Sequence, residues 1–124
     1  MGFMDNTFQK DEKLYRAVFP PEHSNMYWKS DGRVSSAAFS DPKGLSVERG
    51  FYRKDSEVVL DMSKMFIGRI ISITVEDCMN NNVKVIYCPT NISCYHSELH
   101  GYNKIQLSRH QRHQLALVAK IESY

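Results

Sequence analysis

Apolar residues recur along the chain in two rhythms, a period of two and a period near 3.6. Alternating or short apolar runs predict strands over residues 14–18 (LYRAV), 33–39 (RVSSAAF), 45–49 (LSVER), 69–75, 83–87 (VKVIY) and 94–100. Two segments carry the helical period. Val58, Met62, Met65 and Phe66 follow i, i+4, i+7, i+8 spacing, with Asp55 placed to cap the start and Gly68 to end it. Ser108 with Gln111 three residues on is a capping-box pattern ahead of Leu115, Val118 and Ile121.

Turn chemistry separates these runs. Pro20-Pro21 stops the first strand, and Trp28 in the loop that follows is expected to cap the core. Asp31-Gly32 opens the RVSSAAF run. Asp41-Pro42-Lys43-Gly44 closes it and predicts a hairpin with residues 45–49. A helical turn over residues 76–79 precedes Asn80-Asn81-Asn82. Residues 1–13 lack a pattern and read as a flexible tail. Residues 14–124 read as a single α+β domain. The expected sheet is mixed or antiparallel, of five or six short strands, with a central helix and a C-terminal helix.

Charge narrows the function classes. Sixteen basic and 14 acidic residues leave a net +2, which argues against a general nucleic-acid coat or an acidic tail. No apolar run approaches the ~20 residues of a membrane helix, and the N-terminus lacks the apolar core of a signal peptide. A cytoplasmic location without a membrane partner is the expectation. Cys78, Cys88 and Cys94 are odd in number and irregular in spacing, which predicts reduced thiols.

The stretch CYHSELHG, residues 94–101, concentrates reactive side chains. On an extended strand Cys94, His96, Glu98 and His100 share one face. Neighbours two apart are about 6.6 Å from each other, and the whole set spans nearly 20 Å, at about 3.3 Å per residue. Four ligands on one ion are therefore ruled out within the strand. His96 with Glu98 or Cys94 supplies two, and His23, Cys88 and His110 are the extras elsewhere. With no C-x-x-C or H-E-x-x-H spacing, neither a metal site nor a cofactor is predicted. An acid–base pair of His96 and Glu98 suits the stretch better, since a carboxylate orients an imidazole and favours its charged form. Ser35 is the candidate nucleophile, with Ser36 and Ser46 as alternatives.

Two features suggest an anion. Arg33, Ser35 and Arg16 could hold phosphate oxygens, because guanidinium forks match them and the small residues of RVSSAAF allow close approach. Ser36 falls on the opposite face of the same predicted strand. The start of the last helix carries Arg109, His110, Arg112 and His113, four groups that oppose the helix dipole unless an anion sits there. The bland alternatives are helix packing over small residues and a solvated basic face.

Four short segments carry a resemblance: Leu14-Tyr15-Arg16, residues 33–39, residues 45–49 read as LSV-x-R, and His96 with Glu98. In that order they resemble a group of small bacterial proteins over about residues 14–101. The resemblance implies an accessory component of a defence or toxin–antitoxin locus, with a protein partner encoded nearby. A slighter likeness, of Tyr15-Arg16 and Ser35-Ser36, is to ADP-ribosyltransferases, whose Glu-containing loop has no counterpart here. Together these readings predict a protein that binds a nucleotide or nucleic-acid phosphate. The alternatives are a hydrolase or transferase using His96 and Glu98, and a protein-interaction module.

Overall fold

A computed structural model describes residues 3–4 and 7–123. Among the described residues seven strands form one sheet: β1 (Phe3–Met4), β2 (Lys13–Val18), β3 (Leu45–Arg49), β4 (Arg69–Thr74), β5 (Lys84–Tyr87), β6 (His96–His100) and β7 (Lys120–Ile121). Their spatial order is β1-β5-β6-β3-β2-β4-β7, and every pairing is antiparallel. Three helices accompany the sheet: α1 (Asp55–Met65), α2 (Val75–Asn80) and α3 (Arg109–Val118). The class is α+β, as the two periods predict.

Strand alternation divides the apolar residues between two faces. On one face Leu14, Val18, Leu45, Val47, Ile71, Ile73, Val85 and Leu99 form the main core with Ala38, Phe39, Cys78 and Leu115. On the other, Tyr15 and Ile70 pack against Val58 and Met62 of α1. β4 is buried on both faces, hence its apolar run Ile70-Ile71 and Ile73. Each such aliphatic side chain contributes about 1.5–3 kcal/mol on full burial. Trp28 caps the core as expected, buried, with its indole N–H donating to the Phe19 carbonyl at 2.7 Å.

Local corrections follow from side-chain chemistry. Residues 33–39 are not a strand, and no hairpin joins them to β3. Val34 makes an isolated bridge to Trp28, and residues 36–39 form a 3₁₀ turn that packs against α3. Serine and alanine are poor strand formers, and the Ser35 hydroxyl donates to the Met26 carbonyl, which ends extended pairing. The small residues serve close packing, the bland alternative above. In α1, Asp55 is the first helical residue and Lys54 holds the N-cap position. The helix ends at Met65, and Gly68 lies beyond it at φ +134°, where a Cβ would collide with the Val18 carbonyl. The predicted 94–100 strand begins only at His96.

The capping box at the start of α3 behaves as the sequence predicts. Ser108 and Gln111 bond reciprocally, and the Gln111 amide also donates to the carbonyls of Asn81 and Asn82, tying α3 to the end of α2. Thr74 and Asp77 make a second box at α2.

The segment read as a flexible tail is engaged where it is described. β1 pairs with β5, Glu12 is buried, and Val75 N–H donates to the Glu12 carbonyl at 3.0 Å. Met1, Gly2, Asp5, Asn6 and Tyr124 lie outside the described residues. Among the described residues no helix is long and apolar enough to cross a membrane.

Candidate functional site

α1 packs on β2 and β4. On that same face β3, β5 and β6 present mostly polar side chains, because their apolar residues other than Ile86 turn to the main core. The β3–β6 register sets Ser46 opposite Glu98 and Glu48 opposite His96. The β5–β6 register runs from Lys84 opposite His100 to Tyr87 opposite Ser97. The Cys88 N–H then donates to the His96 carbonyl at 3.1 Å.

His96 occupies the middle of this polar half. Its Nδ1 lies 4.0 Å from Glu48 Oε2 across the ladder, and its Nε2 lies 3.7 Å from Glu98 Oε2 along the strand. The other Glu98 oxygen is 2.9 Å from His100 Nε2. Glu48 is buried and accepts a hydrogen bond from the Ser93 hydroxyl, whose oxygen accepts from the Tyr95 N–H at 3.1 Å. The result is a chain, Glu48–His96–Glu98–His100, anchored at one end by a loop.

The turn of residues 41–44 closes over the other end. Gly44 has φ +103°, and a Cβ there would lie 2.7 Å from Glu98 Oε1 and 2.9 Å from His100 Nε2. Only glycine leaves that pair undisturbed at an unstrained backbone.

Beside the chain stands Cys88. Its sulfur, a His96 ring nitrogen and a Glu98 oxygen all lie within 4.8 Å of one another. Burial, followed by the neighbouring Glu98 carboxylate, pushes the Cys88 thiol up to about 11.

A cavity of about 230 Å³ adjoins His96. Ser46, Glu48 and His96 supply its polar wall and Tyr15, Ala17, Met62 and Phe66 the rest, while Arg16 and Val47, whose side chains turn to the main core, border it from the sheet. Small-molecule sites commonly combine such an apolar wall with a few convergent polar groups.

No family model, no curated protein and no solved structure matches the chain. The geometry therefore carries the functional argument alone.

Of the residues singled out in the sequence, His96 and Glu98 stand side by side, and His96 borders this cavity. Ser35 does not, because its segment packs on the opposite face of the sheet and its hydroxyl is bonded to Met26. Ser36 lies on the same turn. The serine beside the pair is Ser46. Arg16 borders the cavity but acts as a strut: its Nε donates to the Ala38 carbonyl at 2.8 Å and its Nη1 to the Ser46 carbonyl at 2.7 Å. Arg33 is exposed, pairs with Asp31 at 2.8 Å and borders a separate groove with Arg69. The anion cradle of Arg16, Arg33 and Ser35 is thus not assembled. Arg109 and His113 are exposed on α3, while Arg112 curls back to the Leu107 carbonyl at 2.8 Å. His110 is exposed beside them, and His23 stacks on Phe19, so neither joins Cys88.

Sequence reasoning missed Glu48 and underrated Cys88. Glu48 belongs to a strand that the sequence predicts and Cys88 directly follows another, so the signal was the pairing register: β3 sets Glu48, and the residue after β5 sets Cys88, opposite His96.

Proposed function

We propose that the protein is a hydrolase or transferase whose proton-handling centre is His96 between Glu48 and Glu98. The observation that carries this reading is the placement of both ring nitrogens of His96 near carboxylates at the wall of a 230 Å³ cavity. Glu48, buried and held by Ser93, orients the ring. The imidazole then takes the proton of an attacking hydroxyl, either water or Ser46, and returns it to the leaving group. The apolar wall suits a small substrate whose non-reacting part lies against Ala17, Met62 and Phe66.

The test is turnover of a panel of chromogenic esters, amides and phosphoesters by the wild type and by His96→Ala. A loss of about 10²–10⁴-fold with the fold retained supports the reading. An unchanged rate sinks it.

A phosphate-bearing ligand, nucleotide or nucleic-acid backbone, is the second reading. It is favoured by a groove of about 420 Å³ at the start of α3, lined by Lys104 and Arg112 beside the capping Ser108. Lys104→Ala with Arg109→Ala should weaken nucleotide or RNA binding and flatten its salt dependence. The resemblance to small bacterial proteins supports a setting for either activity, an accessory role at a defence or toxin–antitoxin locus.

A further inference from the structure

We propose that Cys88, His96 and Glu98 form a binding site for a zinc-class divalent ion, with a fourth coordination position left to water or a ligand. The three side chains offer sulfur, nitrogen and oxygen donors within 4.8 Å of one another. Zinc bonds to these atom types run about 2.0–2.3 Å, so donors around one tetrahedral ion stand roughly 3.3–3.8 Å apart. Closing the set from within 4.8 Å therefore needs adjustments of up to about 1.5 Å, within the reach of side-chain rotation.

The donor chemistry selects the metal. A thiolate with an imidazole favours zinc and its borderline-soft relatives over magnesium or calcium, which take oxygen ligands. The backbone origin of the set is equally specific. Cys88 and His96 are cross-strand neighbours joined by a 3.1 Å backbone hydrogen bond, and Glu98 follows two residues along the same face of β6. The long reach along one strand, which forbids a four-ligand strip, is avoided by drawing the sulfur from the next strand.

The surroundings supply the orienting contacts that metal ligands ordinarily have. His96 Nε2, the nitrogen nearer Glu98, is the ligand, which leaves Nδ1 directed at Glu48. Glu98 coordinates through one oxygen while the other keeps its 2.9 Å bond to His100. The buried thiol gives up its proton to solvent as the sulfur–metal bond forms. Three protein ligands with an open position is the arrangement of catalytic rather than structural zinc sites.

This inference uses the residues of the proposed acid–base centre but assigns them other work, since ligated His96 and Glu98 no longer carry protons. The two readings separate experimentally. The full chain, stripped with chelator, is titrated with cobalt(II) as a spectroscopic stand-in, and zinc is then competed against a chromogenic chelator.

The expected result is one equivalent of cobalt with a thiolate-to-metal charge-transfer band. The band is lost in Cys88→Ser and kept in Cys94→Ser. His100→Ala, which removes only an orienting contact, should weaken zinc binding about 10–100-fold. Because Cys88 is buried, Glu98→Gln, at a half-exposed position, provides a second ligand variant, and circular dichroism checks its fold. Absence of stoichiometric binding in the wild type, or a band that survives Cys88→Ser, overturns the inference. Turnover by the chelated protein bears on the acid–base centre alone.

Discussion

Arg49 and Glu12 form a bidentate ion pair, 2.8 Å on each arm, with neither side chain exposed to solvent. The guanidinium is further sandwiched between the rings of Phe8 and Phe51, 3.9 and 4.2 Å from its carbon, and donates to the Thr7 hydroxyl. A third bond to the Glu12 carboxylate, from the Phe51 N–H, holds the turn after β3. Two charges are thus removed from water and fully compensated, which makes each partner indispensable to the other.

Removing one partner should therefore cost far more than an exposed pair would. Glu12→Ala is expected to lower the unfolding free energy by about 3–5 kcal/mol, because it strands a buried guanidinium. Urea denaturation of the two proteins measures it. A deficit typical of surface pairs, below about 1 kcal/mol, would contradict the buried arrangement.

Asp55 sets an acid-dependent term. Its carboxylate accepts from the Tyr15 hydroxyl and from Lys13, and these bonds, Tyr15's first, hold it below the usual 3.8. A depressed carboxylate contributes stability that is complete above the unfolded value and lost as pH falls through the folded one. Asp55→Asn should therefore be less stable than the wild type at neutral pH. The gap should close as pH drops below 3.8, where the wild-type carboxyl also becomes neutral. Urea melts across that range read it directly, and a gap independent of pH would refute the assignment.

Gly44→Ala tests how the candidate site is enclosed. The substitution strains a backbone at φ +103° and pushes a methyl group against the Glu98–His100 pair. A stability loss of about 1 kcal/mol or more is expected from the backbone alone. Displacement of the pair adds a change in metal affinity. A variant with unaltered stability and unaltered cobalt titration would show that the turn does not close over the pair.

Much of the fold was legible because its cues are local. β2, β3, β4, β5, α1 and the α3 capping box follow from period, turn residues and short hydrogen-bonding patterns within a few positions. RVSSAAF misled because Val34 and Phe39 look strand-like in isolation. Their neighbours are small because α3 lies against them, a fact of tertiary packing. Glu12 read as tail because an acidic residue among polar ones gives no hint of a buried partner 37 positions away. His96 and Glu98 were legible as a pair along one strand. Glu48 and Cys88 were not, since they join the pair only through registers that no single strand encodes.

The ladder beneath the candidate site has a thermodynamic consequence. Ser46, Glu48, Cys88, His96 and Glu98 all project from β3, β5 and β6 or the residue next to them, within one hydrogen-bonded ladder. Folding has already met the entropy cost of arranging their backbones. A ligand arriving there has few rotamers left to freeze and no loop to order. Binding should leave amide exchange in β3 and β6 nearly unchanged, and its heat-capacity change should report only the apolar surface covered in the cavity.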